Sequence, residues 1–285
     1  MQPREPSLTA RAAATHRAVH QELEGGRTFH DPVALTILGA DRDEIVRDAV
    51  AHPERRLMRL FIAARSRFAD DTVTAAIRRG TRQLVVLGAG LDTFAYRTTY
   101  RADELTVFEV DHPVTQAWKR ERLAASGLPI PATVSFVPVD FEAGSIPEAL
   151  TAAGFDSGAP AIFTWLGVVP YLTQDAVLAT LRFIVGVPGA EVVFDYSNPS
   201  DSLPARQREA QRARAARVAA VGEPWITYFD SERLKADLIE LGFHTIEDLG
   251  PTGLSTRYFG GPPTAPRRPG GHVIRAARLD VPLPS

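Results

Sequence analysis

A chain of 285 residues with 32 Lys and Arg against 34 Asp and Glu carries a net charge of −2, without the basic excess of a dedicated nucleic-acid or membrane-surface binder. Hydrophobic residues at 45% and charged residues at 23% suit a folded chain with a sizeable core, in one or two domains. Cysteine is absent, which excludes disulfides, thiolate metal sites and cysteine nucleophiles together.

Residues 1–30 carry Arg4, Glu5, Arg11, His16, Arg17, Glu22 and Glu24 with no apolar core segment, so no secretory signal is expected and the expected compartment is the cytoplasm. No stretch approaches the roughly 18 apolar residues of a membrane span, and no repeat of fixed period is present. From Leu8 to about Gly80 the pattern is helical, with a stop at Gly25-Gly26 and a start at Pro53, whose missing N–H is not needed in a first turn. Leu57, Leu60, Phe61, Ala64 and Phe68 then recur at helical spacing and define one apolar stripe. Arg65 and Arg67 fall roughly 80° to either side of it, at the edge of a buried face. Without a partner, both would extend outward to solvent.

After Gly80, short apolar runs alternate with helical segments, the pattern of a parallel sheet with crossover helices. Strands are expected at 83–87, 105–111, 134–139, 161–165 and 191–195, continuously apolar at their centres as strands covered on both faces are. Helices are expected at 112–126, 146–153, 173–185 and 231–241. An Arg-rich helix with Arg206, Arg208, Arg212, Arg214 and Arg217 reads as a solvated face, with phosphate binding the weaker reading. Two last strands, 243–249 and 272–279, are separated by the Pro/Gly-rich segments 260–263 and 266–271, and that loop lets the final strand return antiparallel. The expected fold is α/β: a doubly wound, Rossmann-like, seven-stranded, mostly parallel sheet with an antiparallel C-terminal hairpin and an N-terminal helical lid. Residues 1–80 are expected to form the cap and 81–285 the core.

The strongest local signal is the strand 84–87 running into Gly88-Ala89-Gly90-Leu91-Asp92. Glycines at these positions let the backbone approach a ligand without obstruction by Cβ. The third glycine of a dinucleotide fingerprint is missing near Phe94, and Asp92 sits where a pyrophosphate would be repelled. The next strand ends in Asp111, 21 residues after Gly90, where a carboxylate can accept both hydroxyls of an adenosine ribose. The third strand ends in Asp140-Phe141, an acid and an aromatic suited to an adenine amino group and ring face. Glycine turn plus second-strand acid fits NAD and S-adenosylmethionine alike, and the missing glycine favours the latter.

Five motifs then carry a family resemblance: Ala64-Arg65-Ser66-Arg67-Phe68-Ala69-Asp70-Asp71, the run 86–97 from Val86 through Gly88-Ala89-Gly90 to Arg97, Phe108-Glu109-Val110-Asp111-His112-Pro113, Val137-Pro138-Val139-Asp140-Phe141, and Leu166-Gly167-Val168-Val169-Pro170-Tyr171-Leu172-Thr173. In their order and spacing the chain resembles, over nearly its whole length, the leucine carboxyl methyltransferase-like group of class I S-adenosylmethionine-dependent methyltransferases, which includes polyketide carboxyl methyltransferases of the tetracenomycin type. The resemblance implies an O-methyltransferase of secondary metabolism, with S-adenosyl-L-methionine as cofactor, S-adenosyl-L-homocysteine as product and a small-molecule acceptor. It implies that Arg65, with Arg67 as helper, pairs with the methionine carboxylate. Gly88, Ala89 and Gly90 then pass beside methionine and ribose, Asp92 serves the amino group or a water, Asp111 and His112 lie at the ribose, and Asp140 with Phe141 holds the adenine. Relatives often carry an acid where this chain has Leu166, a departure that puts their substrate-side chemistry in doubt here.

A carboxylate acceptor is already ionised near neutral pH and needs no general base, whereas a phenol more often does. His20, His30 and His112 are the candidates for such a base. His16 and His20 are spaced i, i+4, but no third ligand completes a metal site. Tyr171, Arg257 and Tyr258 are the substrate-side candidates, the last two read as a strand end before the Pro/Gly loop; no catalytic residue is assigned. The N-terminal helices and the 260–271 loop are the candidate lids. The expected partner is the acceptor, with no nucleic acid, membrane or metal, and the oligomeric state is left open. The alternatives are an NAD-linked oxidoreductase and a catalytically inactive module of the same fold. Neither a His-Glu-x-x-His nor a Gly-x-Ser-x-Gly motif is present.

Overall fold

Gln83–Leu87 is buried at every position and forms the first strand, β1, as an uninterrupted apolar run between two covering layers should. It is followed by β2 (Thr106–Asp111), β3 (Val134–Pro138), β4 (Ala161–Trp165), β5 (Glu191–Ser197), β6 (Thr245–Leu249) and β7 (Gly271–Ala277). The computed structural model describes residues 7–141, 144–220, 222–266 and 268–278. Arg4 and Glu5 of the charged leader, and Leu279 at the expected end of the last strand, lie outside the described residues.

The strands make one sheet of order β3-β2-β1-β4-β5-β7-β6. The first five run parallel, and β7 inserts antiparallel between β5 and β6. The doubly wound α/β expectation therefore holds, antiparallel end included. The chain reverses its direction of winding between β1 and β4, and the crevice at the carboxyl ends of those strands is where open α/β sheets receive ligands.

Helices α1 (Leu8–Leu23), α2 (Ala34–Leu38), α3 (Arg42–Ala51) and α4 (Arg56–Arg78) precede the sheet. α5 (Phe94–Arg97), α6 (Pro113–Ser126), α7 (Ile146–Ala152), α8 (Gln174–Gly186), α9 (Ala205–Ala220), α10 (Ser231–Leu241) and α11 (Pro251–Phe259) follow in turn. One sheet face buries Val85, Phe108, Phe163 and Phe194 against Leu150 of α7, Leu181 of α8 and Leu238 of α10. On the other, α4 packs Val73, Ala76 and Ile77 on Leu84, Val86 and Ile162, and Phe68 near Val193 and Val273. The N-terminal helices α1 and α2 bury Ala14, Ala18, Ile37 and Leu38 with Leu123 of α6.

Three expectations are corrected. The apolar stripe starts later than Leu57, which is 77% exposed, because the buried face of α4 begins at Arg59. The two edge arginines are not equivalent: α1 covers one flank of α4 and the sheet the other, so Arg65 is buried and Arg67 is left in solvent. The segment between β6 and β7 is more than a Pro/Gly loop. It contains α11, opened by Pro251 and closed by Gly260 in the left-handed region, so Arg257 and Tyr258 stand on a helix rather than at a strand end.

Candidate active site

Gly88 and Gly90 follow β1 with φ of +65° and +45°, a left-handed turn that a side chain would strain. A Cβ at Gly88 would overlap Cγ2 of Val168, and one at Gly90 would lie 2.9 Å from Cβ of Ala10 in α1. The turn is thus clamped between the loop after β4 and α1. Its backbone is pinned to β2, since the N–H groups of Gly88 and Ala89 donate to the Val110 carbonyl at 2.8 and 3.0 Å. The helix that follows, α5, has only four residues, so no helix terminus is offered to a pyrophosphate.

Asp111, the last residue of β2, reaches across the same turn. Its carboxylate accepts from the N–H of Gly90 and from that of His112, and burial raises its pKa above the ordinary range. No basic side chain stands within ion-pairing distance of it among the described residues. A half-buried carboxylate with spare lone pairs is suited to neutral donors such as sugar hydroxyls. His112 caps α6, Nδ1 accepting from Val114 N–H at 3.3 Å. That leaves its Nε2 proton facing Asp140, 4.0 Å away, where Phe141 packs on the core beside them.

Below the crevice, Glu109 and Lys119 form an ion pair at 2.7 Å, each only 1% exposed, which ties α6 to β2. Burial pushes the Glu109 pKa up, and Lys119 opposes that shift. Arg97 holds Asp70 of α4 with two guanidinium hydrogen bonds, one of 2.9 Å, and lies 4.7 Å over the Phe29 ring. Asp92 accepts from Phe94 N–H at 2.8 Å and shares a small cleft with Ser66, Asp70, Arg97, Thr164 and Leu166.

Arg65 enters from α4 and is 8% exposed. Its Nη1 donates to Asp195 at 2.6 Å, and Asp195 accepts in turn from Gly167 N–H. The guanidinium lies so close to Gly167 that a Cβ there would be 2.9 Å from Nη2. Its Nε–H is buried with no acceptor among the described residues. Asp195 is a residue that sequence reasoning passed over. The signal was a carboxylate inside the buried run 192–196, on the α4 face with Val193 while Val192, Phe194 and Tyr196 face the other layer. It supplies from β5 a carboxylate in the region where Leu166 leaves none.

Tyr171, in the turn Val169–Tyr171 after β4, stands beside Thr9 of α1 and Trp225, within electrostatic reach of Arg65, and burial raises its phenol pKa. The other substrate-side candidates are not brought here. Arg257 is engaged by Glu247 of β6, and Tyr258 packs near Phe68 and Leu254. β6 is three strand spacings from β4, about 14 Å. Arg67 is half exposed and donates to Asp71 at 2.8 Å one turn along α4. Among the described residues no group of three His, Cys, Asp or Glu could hold a metal ion, and no helix is long and apolar enough to cross a membrane.

The model of the family described as leucine carboxyl methyltransferase matches residues 10–185. A Bacillus subtilis protein, YktD, provisionally named an S-adenosyl-L-methionine-dependent methyltransferase, is 29% identical over 286 residues, spanning 91% of this chain and 93% of its own length. A Mycobacterium marinum protein of the same provisional name is 32% identical over 249 residues, spanning 83% and 82%. Among solved structures, a protein from Thermobifida fusca, provisionally named a methyltransferase, superposes with a TM-score of 0.54 at 17% identity, over 97% of this chain and 96% of its own. The carbon methyltransferase CurJ gives 0.53 at 15%, over 96% and 68%. These two likenesses are of fold alone.

Proposed function

The chain belongs to the leucine carboxyl methyltransferase family and is an S-adenosyl-L-methionine-dependent methyltransferase, and from that premise we propose that it methylates a carboxylate oxygen of a small-molecule acceptor. The observation that carries the choice of acceptor is the state of the histidines. His20 accepts from Phe29 N–H at 3.4 Å and faces Glu24, His112 is spent on capping α6, and His30 stands in solvent. None of these three is available as a sheltered base, which favours an acceptor that arrives already ionised.

The residues present fit the cofactor: the buried Nε–H of Arg65 lacks an acceptor, and Asp111 is a half-buried carboxylate with no ion pair among the described residues. In this reading Arg65 binds the methionine carboxylate through the donors that Asp195 leaves free, a charge-assisted contact. Gly88, Ala89 and Gly90 give the backbone clearance, Asp92 accepts from the amino group across the cleft, and Asp111 takes the ribose hydroxyls. His112 lies at the ribose edge, and Asp140 with Phe141 receives the adenine. When bound, S-adenosyl-L-methionine supplies a methyl group on a sulfonium centre, and a carboxylate takes it as an ester without surrendering a proton. The chain's remaining work is to align and exclude water, which in well-oriented systems removes about 7–11 kcal/mol of barrier. Residues 1–80 act as the cap that closes both sites and 81–285 as the methyltransferase core. Tyr171 serves as a wall of the acceptor chamber.

The test is transfer of label from methyl-labelled S-adenosyl-L-methionine to panels of small organic acids, phenols and amines. Base-labile methyl release from acids, with none from phenols, supports an ester product. Label that is stable to base and confined to phenols or amines refutes it.

A further inference from the structure

Glu109 is a carboxylate at a position where the sheet would accept an apolar residue. It lies inside β2, 1% exposed, with Val86 of β1 and Phe136 of β3 beside it across the sheet. The cation it meets among the described residues is Lys119 of α6, equally buried, at 2.7 Å. The pair is incompletely satisfied, since Glu109 Oε1 is buried and accepts no hydrogen bond among the described residues. Burying two charges sacrifices their hydration, and apolar side chains of similar volume would hold α6 on β2 at least as firmly. Adhesion between helix and strand therefore does not account for the pair.

What the pair does is join two helices that each follow one side of the glycine turn's contact with Asp111. α5 starts just after the turn, and the hydroxyl of its half-buried Tyr96 donates to Glu109 Oε2 at 3.4 Å. α6 starts just after Asp111 and lays Gln116 and Lys119, three positions apart on one helical face, against β2. Gln116 Nε2 donates to the Glu109 carbonyl at 2.9 Å, and Lys119 Nζ lies 5.1 Å from the centre of the Tyr96 ring. Glu109 and Asp111 are alternate residues of one strand, so their side chains leave the same face about 7 Å apart. Asp111 in turn bridges the two loops, accepting from Gly90 N–H and, at 2.6 Å, from His112 N–H.

We infer that Glu109 and Lys119, with Tyr96, form a buried brace that sets the spacing of Gly90 and Asp111, and so act as positioning residues for the ribose hydroxyls of the cofactor. The inference rests on the reading above, in which Asp111 takes those hydroxyls. A carboxylate gripped by donors from two helices admits one arrangement of both. Apolar side chains in the same places would let the helices slide slightly, because packed interiors lose uniqueness before they lose stability. The brace acts through Asp111, and its removal is felt at the ribose rather than along the whole cofactor.

The experiment replaces the pair by apolar residues in the full chain, Glu109→Leu together with Lys119→Met. Binding of S-adenosyl-L-homocysteine and of its 2′,3′-dideoxy analogue is measured by calorimetry. The wild type should prefer S-adenosyl-L-homocysteine by about tenfold or more, as hydrogen bonds to a charged group provide. The double variant should bind the dideoxy analogue within about twofold of the wild type, while its preference for the hydroxylated ligand falls below about threefold. A preference kept in full by the folded double variant would overturn the inference. So would equal weakening of both ligands, which marks general damage to the site. If the apolar pair does not fold, Glu109→Gln with Lys119→Met, which keeps an acceptor for Tyr96, carries the test: its preference should fall at least about twofold, and an unchanged preference overturns the inference. A wild type that binds both ligands equally, or neither, would instead remove the reading of Asp111 beneath it, and this inference with it.

Discussion

Replacing Asp195 with Ala removes the only carboxylate that Arg65 meets in the described structure and leaves Gly167 N–H without its acceptor. Both side chains are buried, at about 10% and 7% exposure, so solvent does little to compensate. Breaking such a pair from one side costs about 3–5 kcal/mol, mostly the penalty of an uncompensated buried charge. At about 2–4 °C per kcal/mol for a chain of this size, the melting temperature should fall by roughly 6–20 °C. Removing both charges together with Arg65→Met and Asp195→Leu should recover most of that loss, because neither charge then remains to be desolvated. Thermal and urea unfolding of the two single variants and the double variant give the coupling directly. Under the proposed cofactor site, the double variant should be stable and yet bind S-adenosyl-L-homocysteine at least tenfold more weakly. A loss below about 1 kcal/mol in Asp195→Ala, or additive losses in the double variant, would refute the reasoning.

Two further outcomes follow from the geometry. Because the folded chain resists protonating His16 until about pH 4 while an unfolded histidine takes a proton near 6.5, stability should fall as pH drops through that window. The part due to His16 is about 1–2 kcal/mol between pH 8 and pH 5, and urea unfolding of His16→Gln should show a correspondingly smaller acid loss. Gly88→Ala should cost about 1–2 kcal/mol from its left-handed backbone and more from the overlap with Val168. Adding Val168→Ala should return only the second part, as read in melting temperatures.

Much of the sheet was legible because its central strands are continuous apolar runs, and such runs mark strands covered on both faces wherever they lie in the fold. β1, β4 and α10 fall on their expected bounds. What escaped was set by neighbours. Helical periodicity treats Arg65 and Arg67 as mirror images about the apolar stripe; the presence of α1 on one flank separates them, and nothing local encodes it. α11 was concealed by its glycines and prolines, although Pro251 at its first position and Gly260 just past its end are the punctuation of a helix. The Arg-rich helix read as a uniform solvated face because its charges surround the wheel. Only the packing of Gln211 against Asn198 fixes which side Arg214 turns inward. The glycine turn, Asp111 and Asp140 could be placed in advance, since strand ends of a parallel sheet share one edge. Asp195 reaches that edge too, but its role depends on a helix 130 residues away in sequence.

The central claim is that Asp111, held across the glycine turn, and Arg65, held by Asp195, form the cofactor site. Isothermal titration of the wild type and of Asp111→Ala with S-adenosyl-L-homocysteine tests it most directly. Micromolar binding that falls at least tenfold in a variant with an unchanged far-ultraviolet spectrum is the predicted result. Equal affinity of the two proteins for S-adenosyl-L-homocysteine would contradict it.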